Sequence, residues 1–98
     1  MYKKFENPIP PESKAWVNRN DKRISGPPEE GDTVIFKAGE NISFGVLVEK
    51  VEPNTIKGEI IILGGFELLG SKYDGYKDWK LTDKIEINLD KLDGIINK

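Results

Sequence analysis

The chain has 98 residues, no cysteine, no histidine, and a net charge of −2 at neutral pH with a sequence pI near 5.2. That length suits one domain with a single core and leaves no room for a large internal active-site cavity. The missing thiols and imidazoles exclude disulfides, thiolate chemistry, and the commonest general base and metal ligand, and the mildly acidic balance argues against generic nucleic-acid binding, which needs a strongly basic surface.

Residues 1–31 predict an irregular N-terminal arm. Met1 to Glu6 carries two lysines with no apolar run behind them, which is unlike a signal peptide. No apolar run approaches the length of a membrane span, so the expectation is a cytoplasmic protein with no membrane partner. Asn7 to Glu12 holds three prolines, which remove amide donors and fix φ, so it suits neither a central strand nor a helix interior. Pro8 and Pro11 have P-x-x-P spacing; the plainer reading is a stiff lead-in across the barrel wall. Lys14–Asn18 predicts a short edge strand, Asn18–Arg23 a polar turn, and Gly26–Gly31 a loop that delivers the chain to the first firm strand.

Three strands follow, over 33–37, 43–51 and 55–63, separated by turn residues at 38–41 and 52–54. Alternation places Val34 and Phe36 on one face and Thr33, Ile35 and Lys37 on the other. Val46 to Val48 and Ile60 to Leu63 are apolar on both faces, which suits central strands whose second face is covered by the arm or by residues 64–82. Gly45 and Gly58 inside these runs predict bulges, bends or close packing against a neighbouring aromatic. Residues 64–82 read as a structured loop. In Lys84–Leu89, Ile85, Ile87 and Leu89 face in while Lys84, Glu86 and Asn88 face out. The expected fold is all-β, a small partly open antiparallel barrel of five to six strands over 32–98.

The chemistry of the chain points away from catalysis. Glu29, Glu30 and Asp32 cluster, as do Asp74 with Asp78 and Asp90 with Asp93, but all fall in polar loops where both partners of a pair stay ionised. Leu89 to Gly94 lacks the ligand alternation of a calcium loop, and Gly64–Gly65 precedes neither a helix start nor a G-K-[ST]. No enzyme activity, metal or cofactor is expected.

Arg19 and Arg23 have R-x-x-x-R spacing, and Asn41-Ile42-Ser43 is followed by Gly45. This resembles the signature of the PilZ family, bacterial β-barrels that bind cyclic di-GMP, in which the glycine stands where this chain has Val46. The resemblance implies that Arg19 and Arg23 chelate phosphates and stack on guanine while Asn41 and Ser43 bond base edges. Gly31-Asp32-x-Val34-x-Phe36, a valine-rich strand and Ile56-x-Gly58-x-Ile60 are also similar to SH3-like and Tudor-like small barrels, a likeness of fold that carries no activity.

Trp16, Tyr73, Tyr76 and Trp79 fall outside the firm strands, near Arg19, Lys22, Arg23, Lys72, Lys77 and Lys80. Small barrels bind peptides or single strands through such residues; alternatively Trp16 and Trp79 cap the open ends of the barrel. The favoured function is a non-enzymatic binding or interaction module for a protein or small molecule, an accessory protein of bacterial or phage type. The alternative is a PilZ-like cyclic-dinucleotide receptor. The candidate site residues are Trp16, Arg19, Arg23, Asn41, Ser43, Tyr73, Tyr76 and Trp79, and the sequence leaves the oligomeric state open.

Overall fold

Period-two alternation of β-branched and aromatic residues builds the centre of the molecule. A computed structural model describes residues 1–6, 15–20, 22–24, 26–39, 42–64 and 75–89. Its strands are β1 (Lys3–Lys4), β2 (Ala15–Arg19), β3 (Lys22–Ile24), β4 (Thr33–Lys37), β5 (Ser43–Val51), β6 (Thr55–Gly64), β7 (Gly75–Tyr76), β8 (Trp79–Lys80) and β9 (Lys84–Asn88). Seven of them form one sheet in the order β1-β9-β6-β5-β4-β2-β3, while β7 and β8 make a separate ribbon. All neighbours in the sheet are antiparallel except β1 with β9.

The all-β expectation holds, and the mostly antiparallel sheet is not closed into a barrel; seven described strands form it, three of them from residues 1–31. Among the described residues, no ladder joins β1 to β3. These end strands are two and three residues long. The sheet is nevertheless strongly coiled. β1 and β4 are four strand spacings apart, about 19 Å if the sheet were flat. Yet the ring of Phe5, just after β1, lies 5.6 Å from that of Phe36 on β4.

Coiling encloses one core. Phe5, Val17, Val34, Phe36, Phe44, Val46, Ile56, Ile60, Leu63, Ile85 and Ile87 are all fully buried. Residues 1–31, expected as an irregular arm, supply β1, β2 and β3 and bury Phe5, Ala15 and Val17. The proline-rich Asn7–Glu12 falls outside the described residues.

Two bulges produce the bend in the β5–β6 hairpin. Gly45 pairs with Ile62 and Val46 with Ile60, leaving Ile61 extra on β6; Val48 pairs with Gly58 and Lys50 with Lys57, leaving Glu49 extra on β5. Ile61 and Ile62 therefore both face outward, as do Glu49 and Lys50. Each predicted glycine sits at one of these shifts. A Cβ on Gly58 would overlap the Leu47 carbonyl oxygen, and one on Gly45 would lie 2.8 Å from the Ile62 Cβ. The neighbour that fills the space over Gly45 is thus aliphatic, not aromatic.

Candidate functional site

Antiparallel pairing of β2 with β4 sets Asn18 opposite Thr33, which brings Arg19 to Asp32 at the entry to β4. Arg19 Nε donates to Asp32 Oδ1 at 2.7 Å and Nη2 to Oδ2 at 2.8 Å, a fork-to-fork pair. The Glu29 amide donates to Asp32 Oδ2 at 2.8 Å, and the Asp32 amide returns a bond to the Glu29 carbonyl at 3.0 Å. Asp32 is 1% exposed, so it is not the solvated turn carboxylate its loop composition predicts. Hydrogen bonding from Arg19 holds its carboxyl below the usual aspartate range; burial opposes this and the Glu29 amide assists it. The same bonds raise the affinity of Arg19 for its proton. Arg19 is committed to closing the 29–32 turn and is not a freely solvated charge.

Arg23 is placed differently. It sits on β3 opposite Asn18, exposed on the outer face, with its guanidinium carbon 4.7 Å from the centroid of the Trp16 ring. This is stacking range for a cation on an indole. Trp16 is half-buried and begins a row that crosses four strands on the outer face: it pairs with Ile35, Ile35 with Gly45, and Gly45 with Ile62. Ile35 is buried there, Ile62 half-buried, and Ile61 stands out beside it at 39% exposure. The outer face of the sheet is thus apolar along this row, with Arg23 at one end.

Trp79, Tyr76 and Ser43, the other candidates among the described residues, do not join this surface. Trp79 is buried, tilted against Phe5 at 5.7 Å and edge-on to Phe44 at 6.2 Å. Tyr76 packs edge-on to Phe44 at 6.1 Å. Trp79 belongs to the core, and Tyr76 packs half-buried against it. Ser43 is buried at the end of β5 that pairs with Lys37, whereas the Asp32 carbonyl accepts from the Val48 amide. Five residues of strand, about 17 Å, therefore separate Ser43 from the Arg19 clamp. Asn41 and Tyr73 lie outside the described residues.

Two further features are illegible in the sequence. On the outer face of β5, β6 and β9, Glu49 accepts from Tyr2 Oη at 2.8 Å and from Lys84 Nζ at 2.7 Å, and Lys84 also lies 3.5 Å from Glu59. Lys84, then Tyr2, hold Glu49 below its ordinary carboxylate range, so the cluster stays charged and internally matched. Alternation after Val48 sets Glu49 on this face, but no local pattern announces that Tyr2 and Lys84 meet it there. Beside β1, Lys3, Lys4, Glu6, Asp78 and Trp79 line a recess of about 210 Å³, smaller than the usual small-molecule pocket. Lys3 spans it, donating to the Asp78 carbonyl at 2.6 Å with its Nζ 4.3 Å from the Trp79 centroid. Among the described residues, no three acidic groups come together as a metal site would require. Comparison of the chain with protein-family models, curated proteins and solved structures returns no match.

Proposed function

We propose that this chain is a non-catalytic interaction module that meets another protein with the outer face of its sheet at the β2–β3 corner. The observation that carries the reading is the outer-face row from half-buried Trp16 to half-buried Ile62, across buried Ile35 and Gly45, with exposed Ile61 beside it and Arg23 stacked on Trp16. Tryptophan and arginine are the residues that most often anchor protein interfaces, and an apolar row with a cationic end offers both desolvation and orientation. Elsewhere on the sheet Arg19, Lys57 and Lys84 are each paired with a carboxylate, which supports a binding role over acid–base chemistry. A cyclic-dinucleotide receptor would need Arg19 to leave Asp32 and to act together with a serine at the far end of β5, and no observation favours that arrangement.

The test is capture of partners by immobilised parent protein and by a Trp16→Ala, Ile61→Ser variant, with thermal melts to show that both are folded. The expected result is a partner held by the parent and lost by the variant. Partners retained equally by the folded variant would overturn the reading.

A further inference from the structure

Among the described residues, the two end strands of the sheet share a charge sign. β1 is Lys3–Lys4 and β3 is Lys22-Arg23-Ile24. Short, cationic edges discourage pairing between like copies. Two β3 strands paired antiparallel about Arg23 would set arginine against arginine, and β3 against β1 would set Lys22 and Arg23 against two lysines, both unfavourable as directly opposed like charges. A second copy of this chain is therefore a poor occupant of either edge.

The edges also differ. Lys3 is tied to the Asp78 carbonyl and Trp79. On β3, Lys22 and Arg23 are exposed and make no ion pair among the described residues. Their cationic neighbour Arg19, opposite Lys22, is taken by Asp32. β3 pairs on one side with β2, and no described strand pairs with its other side, so that edge offers main-chain donors and acceptors to an added strand. Ile24 faces the core side and packs half-buried against it.

We infer that the open edge of β3 takes an extended acidic segment of another protein as an additional strand. The inference rests on the interaction-module reading and names its partner class. Register supplies the pattern. A residue opposite Arg23 lies on the outer face, where a carboxylate meets the guanidinium beside Trp16. Its two sequence neighbours lie on the core side, where apolar side chains extend the cover over Ile24. The segment is one in which acidic and apolar residues alternate.

The experiment titrates the full-length, nitrogen-15-labelled chain with a blocked octapeptide of alternating valine and glutamate. Two control peptides carry lysine in place of glutamate, or N-methyl groups throughout. The expected result is saturable movement of the Lys22, Arg23 and Ile24 amides with the glutamate peptide, about tenfold weaker binding of the lysine peptide, and none of the N-methylated one. In Arg23→Glu, a surface change that leaves the fold intact, the preference between the two charged peptides reverses. Equal binding of both charge types, binding that survives N-methylation, or no movement at about 1 mM glutamate peptide overturns the inference. Movement confined to Ile35, Gly45 and Ile62 also overturns it while leaving the face reading standing; that reading fails separately, in the capture experiment.

Discussion

Phe5 lies one residue beyond a strand of only two residues, which by itself would hold it weakly. Its ring is nonetheless 1% exposed and touches Phe36, Phe44 and Trp79 at centroid distances of 5.6, 5.8 and 5.7 Å. Its amide donates to the Glu86 carbonyl at 2.9 Å, so backbone and side chain are both fixed. Truncation to alanine in a packed core costs about 3–5 kcal/mol. The upper half applies here, because three aromatic neighbours, each worth about 0.5–1.5 kcal/mol beyond area, are lost together. A chain of 98 residues has a total stability of about 5–15 kcal/mol. With a urea slope of about 1–1.5 kcal/mol/M, Phe5→Ala should lower the unfolding midpoint by about 3–5 M. Urea titration followed by tryptophan emission and by far-ultraviolet dichroism checks this, since Trp79 is in the same cluster. The two signals should shift together. Lys4→Ala, on the same strand with its side chain in solvent, should leave the midpoint unchanged. A Phe5→Ala midpoint within about 0.5 M of the parent's would refute the reasoning, because it would mean that β1 frays without opening the core.

Two other outcomes follow from the Arg19–Asp32 pair. The folded-state pKa of Asp32 lies below its unfolded value, so its contribution to stability is complete above about pH 4 and is lost as pH falls through the depressed folded value. Glu49 and Glu52 are shifted the same way, so Asp32→Asn should shallow the acid limb of a melting-temperature profile below about pH 4 without abolishing it; an unchanged acid limb would count against the clamp. Calorimetry with cyclic di-GMP should give a flat trace, since Arg19 is occupied and Ser43 is distant. Saturable binding lost in Arg19→Ala, Arg23→Ala would reverse that conclusion.

The central strands were legible because each buries one face in a period of two: Val34 and Phe36, or Ile85 and Ile87, declare themselves. Phe5 did not, because a single aromatic between Lys4 and Glu6 has no periodicity, and what holds it lies more than thirty residues away in sequence. Trp16 and Trp79 looked alike, each with basic residues within a few positions. Alternation around Trp16 places it outward between Ala15 and Val17, whereas Trp79 is buried by contacts that only the coiling of the sheet creates. The residues at 29–32 looked like a solvated turn because loop composition records polarity and not the partner, and Arg19 reaches Asp32 only through the β2–β4 register.

The bulges on β5 and β6 bear on how this hairpin tolerates changes in length. In an uninterrupted strand, losing one residue turns every following side chain to the wrong face. Here the inward series runs Phe44, Val46, Val48 and then Val51 on β5, and Ile56, Gly58, Ile60 and then Leu63 on β6. Removing Glu49 or Ile61 restores plain alternation and keeps each of those residues inward. Removing Leu47 or Glu59 turns part of the core out to solvent. The hairpin therefore has two positions at which it can shorten, one on each strand, and evolutionary deletions in proteins of this architecture should gather there.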